Sequence, residues 1–323
     1  MSEKIRSKRF NMQNSNNKRM IKVVFLGTSS GVPTRERSLP SIFLMYENER
    51  ILFDCGEGTQ RQLMSEKLKF MKINRIFISH WHADHFAGLL GLVQTMSLEN
   101  RSEPLYVYGP RRTEEFVERL LGVGYFARSF KVVAKDVDEG EEIKGTGFKV
   151  IPFRVEHRVP ALGYVFREDD RIRADMEEAA KFGLKTGPKI GALKAGKSVT
   201  INGKTVAPKD IIRTEPGKKV VYTGDTKYNE NIVKFSEGAD LLIADSTFGE
   251  EFTERAGDFR HSTANDAAEA AKKACVKQLV LTHISRRYQE SEGCISPKTL
   301  EESARKIFKN TILARDFLEV EVK

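Results

Sequence analysis

What this sequence lacks narrows its function before any motif is read. No run of eighteen apolar residues occurs, and residues 1–17 are polar and basic with no apolar centre, so neither a transmembrane helix nor a secretory leader is expected. Only three cysteines are present, Cys55, Cys275 and Cys294, at no metal-like spacing. They read as reduced, mostly structural thiols of a cytoplasmic protein. With 10 prolines and 24 glycines in 323 residues, collagen-like and disordered classes are excluded, and 40% hydrophobic residues suffice for a sizeable core. Acidic residues are outnumbered, 45 against 54 basic ones, and the net +9 leans toward a polyanionic partner. Histidine is scarce too, with six in all. Where those six fall decides the function.

The chain divides by composition. Residues 1–19 are rich in Lys, Arg, Asn and Ser and read as a flexible basic extension; residues 20–323 read as one folded domain. From Met20 onward, short β-branched and aromatic runs alternate with turns marked by Gly and Pro. Strands are expected at 22–28, 42–46, 51–54, 75–79, 105–108, 130–134, 148–155 and 164–167. Helices are expected at 58–68, around 85–96 and at 111–121. After an insert come strand 219–223, a short helix, strand 241–245, helix 263–275, strand 278–282, helix 297–309 and a final strand. Such interleaving implies an α/β (α+β) fold, mixed sheets with helices outside.

The loop after strand 75–79 reads His80-Trp81-His82-Ala83-Asp84-His85. Three imidazoles and a carboxylate on one strand-to-helix turn can fan toward a single point as metal donors. The plain alternative is a solvated loop in which Asp84 caps the next helix. Further donors stand at the ends of later strands: His157, Asp225 in Thr223-Gly224-Asp225-Thr226, and His283. Each alone is an ordinary polar strand end. Together with the first cluster they make five histidines and two aspartates, enough for two Zn²⁺ with a bridging carboxylate and a shared water. No cysteine joins them, so the set is hydrolytic in type and unlike structural zinc. The sixth histidine, His261, precedes a helix on which Thr263 and Asp266 are spaced as a capping box; a helix start attracts anions, so His261 is placed to meet a phosphate.

Several segments occur in an order that resembles ribonuclease Z, the tRNA 3′-processing endonuclease of the metallo-β-lactamase superfamily. They are Phe25-Leu26-Gly27-Thr28-Ser29-Ser30-Gly31-Val32-Pro33, Asp54-Cys55-Gly56-Glu57-Gly58-Thr59-Gln60 and Ser79 to His85. Then come Val159-Pro160-Ala161-Leu162-Gly163-Tyr164, Gly224-Asp225-Thr226, His261-Ser262-Thr263-Ala264 and Thr282-His283. The resemblance spans about residues 20–320. It implies an αββα four-layer sandwich, a homodimer, two zinc ions per subunit, and cleavage of precursor tRNA after the discriminator nucleotide to leave a 3′-hydroxyl and a 5′-phosphorylated trailer. Matched to the family motifs, His80, His82 and His157 hold one zinc, Asp84, His85 and His283 the other, and Asp225 bridges. Asp84 also accepts the proton of the attacking water, and His261 protonates or stabilises the leaving 3′-oxygen.

Two segments read as RNA-facing. An insert over 168–216 carries, between 179 and 209, Lys181, Lys185, Lys189, Lys194, Lys197, Lys204 and Lys209 with no Asp or Glu. That asymmetry suits phosphate contact better than a merely solvated loop. The insert resembles the family's protruding arm, with Gly187-Pro188 matching its Gly-Pro motif. Pro33-Thr34-Arg35-Glu36-Arg37-Ser38 is similar to the family's Pro-x-Lys-x-Arg-Asn loop, with Arg35 in place of Lys and Ser38 in place of Asn, so Arg35 and Arg37 join the expected substrate contacts. Phe248 follows Asp245-Ser246-Thr247 where the family often has a His-Glu-Ala-Thr loop. The rival readings are another hydrolase of this fold, acting on a small phosphodiester, thioester or lactone, and a binding subunit that has lost its metals. The first has no use for the arm or His261, and the second would lack ligands that are all present here.

Overall fold

The computed structural model describes residues 20–201, 203–291 and 293–323, so the basic extension expected over 1–19 lies outside the described residues. Strand Ile21–Gly27 shows why the layers form. Ile21, Val23 and Phe25 point into one core while Val24 and Leu26 point into another. A strand apolar on both faces needs cover on both, and this one lies between a second sheet and a helical layer.

Two seven-stranded sheets result. The first runs Glu319–Val322, Ile21–Gly27, Ser41–Tyr46, Glu49–Phe53, Arg75–Phe77, Leu105–Gly109, Val132–Asp136. The second runs Thr311–Leu313, Leu279–Thr282, Leu241–Asp245, Lys219–Tyr222, Leu162–Glu168, Phe148–Arg154, Ile143–Gly145. Each sheet has an antiparallel half and a parallel half. Phe53, Phe77, Tyr164, Tyr222 and Ile243 fill the space between the sheets. Helices Thr59–Ser65, Leu89–Leu98 and Thr113–Leu121 cover the first sheet, and Ala264–Lys273 and Lys298–Ile307 cover the second. This is the expected αββα sandwich.

Some expectations need correction. The single final strand is two, Thr311–Leu313 and Glu319–Val322, and the chain crosses from the second sheet to the first between them. Strand Ile143–Gly145, too short to stand out as an apolar run, was not anticipated. The helix around 85–96 is broken into Ala83–Phe86 and Leu89–Leu98, because Gly88 packs against the Gly56 carbonyl, where a Cβ would lie 2.1 Å away. Of the cysteines only Cys55 is buried, where desolvation pushes its thiol up to about 12; Cys275 and Cys294 are exposed, and all three are free thiols.

The insert folds. Strands Arg171–Ala174 and Ile212–Glu215 pair as an antiparallel stalk with Arg171 opposite Glu215. Beyond the stalk lie helices Met176–Lys181 and Pro188–Lys194, a hairpin of Val199–Ile201 with Lys204–Val206, and helix Pro208–Ile211. Ala179, Leu184, Ile190, Leu193, Val206 and Ile211 form a core of its own. Gly187 starts the second helix at φ 157°, ψ −168°, a backbone region open essentially to glycine alone, and Pro188 follows at the first helical position, where its missing N–H costs nothing.

Candidate metal centre

The donors converge because the strands end together. Asp54, His80, Asp225, Asp245 and His283 stand at or just beyond the C-terminal ends of parallel strands, and His157 follows Phe148–Arg154. The two sheets are stitched at this rim. Ser79 O accepts from Leu162 N at 2.9 Å, and Ile78 O accepts from the Tyr164 hydroxyl at 2.7 Å. Gly224, at φ 60°, brings Asp225 in; a Cβ there would sit 2.7 Å from Ser79 Cβ.

His80 Nε2 lies 2.9 Å from His82 Nδ1, which lies 3.2 Å from His157 Nε2. These three nitrogens form one group. Asp84, His85, Asp225 and His283 form the second, with Asp225 Oδ2 at 3.3 Å from His85 Nε2 and 3.2 Å from His283 Nε2. Asp225 Oδ2 is also 3.8 Å from His80 Nε2, so its carboxylate spans both groups. All seven expected ligands are therefore brought together. Asp84 does not cap its helix; its Oδ2 accepts from Gly31 N at 3.0 Å and faces His85 Nε2 at 3.4 Å.

Outer hydrogen bonds fix which nitrogen of His80, His85, His157 and His283 faces inward. Asp54 accepts from His85 Nδ1 at 2.8 Å, from Ser79 N at 2.6 Å and from the Tyr222 hydroxyl at 2.7 Å. His157 Nδ1 donates to Arg260 O at 3.1 Å, and His283 Nδ1 meets Thr247 Oγ1 at 2.8 Å. Thr247 in turn donates to Asp245 at 2.6 Å. Such partners orient metal-binding imidazoles and raise their basicity. Three buried atoms aimed at the centre, His85 Nε2, His283 Nε2 and Asp225 Oδ1, have no hydrogen-bond partner. Lone-pair donors buried without partners are costly unless a cation takes them. The all-nitrogen-and-oxygen donor set fits a divalent transition metal.

The charges agree. Burial pushes His80 well below the ordinary imidazole value and lowers His82 and His157 too, which keeps all three neutral and able to ligate. Burial opposes charge on His85 and His283 as well, but Asp225 beside both, helped by Asp84 at His85 and Asp245 at His283, outweighs it. His85 is raised well above the usual value, and His283 to about 10. Those imidazoles reciprocally hold Asp84 and Asp225 below the carboxylate range despite their burial. A cluster of carboxylates that draws protons onto buried imidazoles draws metal cations by the same field.

His261 is adjacent. Its Nδ1 is 2.8 Å from Asp245 Oδ2, and its ring stacks on His283 at 5.2 Å between centroids. The capping box of Thr263 and Asp266 behind it is present as expected. Of the substrate loop, Arg35 is exposed but Arg37 is not. It is 7% exposed and donates to Thr28 Oγ1 at 2.7 Å and Ala314 O at 2.6 Å, close to half-buried Asp316, so it braces the loop from inside and does not reach outward. Gly187, Pro188, Lys181, Lys185, Lys189, Lys194 and Lys197 are exposed on the arm, outside the metal centre, and Lys181 pairs with Glu178 at 2.7 Å. Missed entirely were Asp54, Asp245, Thr247 and Tyr222 as orienting groups. The available signal was an acidic residue closing an apolar strand, Ile51-Leu52-Phe53-Asp54 and Leu242-Ile243-Ala244-Asp245, at the same rim as the histidines.

Comparison with known proteins agrees with this geometry. Residues 21–176 match the model of anti-Pycsar protein Apyc1, and residues 210–284 match the beta-lactamase superfamily domain. The arm's tip falls between the two matches. Ribonuclease Z of Archaeoglobus fulgidus is 45% identical, covering 94% of this chain and 98% of that protein. Ribonuclease Z of Methanosarcina acetivorans is 41% identical over 94% and 98%. Among solved structures, human tRNase Z, short form, superimposes with a TM-score of 0.68 at 28% identity, covering 94% of this chain and 99% of that one. By this identity over nearly its whole length, the chain belongs to the ribonuclease Z family.

Proposed function

We infer that this chain is the hydrolytic endoribonuclease that removes the 3′ trailer from precursor tRNA, cutting after the discriminator nucleotide with two zinc ions per subunit. The observation that carries the reading to RNA is the folded arm, a lysine-faced unit with its own core that hydrolysis of a small ester does not require. His80, His82 and His157 would hold one ion, Asp84, His85 and His283 the other, with Asp225 between them. Bound there, divalent zinc supplies Lewis acidity toward water and the scissile phosphate. Asp84 takes the proton of the attacking water. His261, its Nδ1 engaged by Asp245, offers Nε2 to the leaving 3′-oxygen as general acid. Arg35 and the arm's Lys185, Lys189, Lys194 and Lys197, with Gly187-Pro188 shaping the tip, bind tRNA away from the cut.

Among the described residues no helix is long and apolar enough to cross a membrane. A homodimer in the cytoplasm completes the reading. The test is a 3′-extended tRNA transcript with product ends mapped to one nucleotide. A single cut after the discriminator, lost together with metal in Asp225→Ala, supports it; intact transcript with wild-type, metal-loaded protein refutes it.

A further inference from the structure

Strands Arg171–Ala174 and Ile212–Glu215 carry the arm, yet among the described residues they form a two-stranded sheet of their own and join neither seven-stranded sheet. They leave the sandwich at the rim opposite the metal donors. Lys218 and Asp240 there precede the parallel strands Lys219–Tyr222 and Leu241–Asp245, whose far ends lead to Asp225 and carry Asp245. Packing does not fill the join. A cavity of about 600 Å³ lies at the root of the stalk, with Arg167, Arg171, Arg173, Glu215, Lys218 and Asp240 in its wall. Arg167, Arg171, Arg173 and Lys218 each hold a carboxylate already, of Asp170, Glu168, Glu215 and Asp240 in turn, so the cavity is not a ready anion site. A two-stranded ribbon beside a cavity has no apolar seat to fix its angle.

Hydrogen bonds at Glu168 supply what packing does not. Glu168 ends strand Leu162–Glu168 and is only 1% exposed, an unusual place for a carboxylate. Its Oε1 accepts from Arg171 Nε at 3.1 Å and from Arg171 Nη2, in the outgoing strand of the stalk. Its Oε2 accepts from Lys218 N at 3.2 Å, where the returning chain re-enters the second sheet. The Tyr46 hydroxyl, in the first sheet, donates to Oε1 at 3.3 Å. That tyrosine is fixed in turn, its ring 5.7 Å from Phe148 and 5.4 Å from Phe166 between centroids. One side chain thus ties both feet of the arm to both sheets. The feet also interlock, because Asp170 Oδ1 accepts from Gly217 N at 2.9 Å and a Cβ on Gly217 would lie 2.0 Å from Glu168 O. A buried carboxylate is tolerated only with its partners in place, which favours a single arrangement of these groups. Resting on the function proposed above, we propose that Glu168 is the positioning residue of the arm. It sets the angle at which the lysines leave the sandwich, and so where the tRNA body is held while its 3′ end reaches the metal centre.

The experiment reads that angle directly. Cys55 is buried, so nitroxides are placed on native Cys275 and on Ser198→Cys, both exposed, in the full-length chain carrying Cys294→Ser and diluted with unlabelled protein. Pulsed electron resonance then gives one narrow distance distribution when Glu168 is intact. Glu168→Gln keeps the shape but turns one acceptor into a donor, so Arg171 and Lys218 N cannot both be served. The distribution broadens about twofold or more, and KM for a 3′-extended tRNA rises roughly tenfold while kcat and zinc content stay level. Arg171→Gln, at a partly exposed position, shows the same broadening and decides the matter if Glu168→Gln does not fold. Equal widths with and without the substitutions overturn the proposal, and so does broadening with KM unmoved in a chain that trims tRNA. Broadening in a protein whose unsubstituted form fails to trim tRNA would count against the ribonuclease reading and leave Glu168 as the anchor of the arm.

Discussion

At the scale of single residues, the ring around the ligands matters as much as the ligands. Asp54 accepts four hydrogen bonds, two of them from Ser79, that set His85, Ser79 and Tyr222 in register. Asp54→Asn keeps its volume but loses its charge and one acceptor. It should lower metal affinity roughly 10–100-fold, read by competition with a chelator; unchanged affinity would show that His85 is oriented by packing alone. Protonation gives a second prediction. His283 is raised to about 10 and His85 above its ordinary value, so both carry protons at pH 7 in metal-free protein, whereas burial leaves His80, His82 and His157 neutral. Metal takes the deprotonated form. Loading at pH 7 must therefore release protons from the first pair and none from the other three, and apparent affinity must fall as pH drops, by up to about a hundredfold per unit for two protons. Calorimetry in buffers of different ionisation heat reads the release directly, and a heat independent of buffer would contradict it.

At the scale of elements, the loop and the arm show opposite relations between sequence and structure. Arg37 is expected as a substrate contact from the match of residues 33–38 to the family's Pro-x-Lys-x-Arg-Asn loop, yet it is buried. Its real neighbours, Thr28, Ala314 and the carboxylate of Asp316, lie hundreds of positions apart in part, and no local pattern announces them. Arg37→Ala should cost about 1–3 kcal/mol in urea unfolding, because buried acceptors lose their donor. The candidate metal donors were legible as a cluster for the converse reason. Four of them lie within six residues, and the others repeat one local signature, a polar residue closing an apolar strand. Asp245 and Asp54 carry that signature too, but an acidic strand end has many ordinary explanations until its histidine partner is seen. The arm's lysines were legible as charge, while its core was not. Ala179, Leu184, Ile190, Leu193, Val206 and Ile211 are spread among glycines and lysines without a clean period, and only closure of the stalk gathers them. So small a core has little reserve. Leu193→Ala should remove about 2–5 kcal/mol locally, enough to open the arm to protease between residues 176 and 211 while the thermal transition of the sandwich stays in place. Protection equal to wild type would mean that the stalk alone holds the arm.

At the scale of the whole molecule, the proposed function places chemistry and affinity in different bodies. The candidate metal centre lies at the shared rim of two sheets, where His80, His85, His157 and His283 are held from behind. The arm reaches out on two strands and presents Lys185, Lys194, Lys197, Lys204 and Lys209 with no carboxylate partner among the described residues. Removing residues 176–211 and closing the stalk should therefore leave metal content intact, because no ligand lies in that span. Binding of precursor tRNA should weaken and lose part of its salt dependence. Each duplex phosphate contact released contributes about 0.9 to the slope of log affinity against log salt, so losing three contacts flattens the slope by about 2.7. The discriminating measurement is that slope, since a misfolded rim would lower activity and metal content together, whereas a lost arm lowers the slope and spares the metal. A deletion variant that binds precursor as tightly as the full chain at every salt concentration would leave the lysines as solvated surface. Recognition would then have to come from Arg35 and the centre alone.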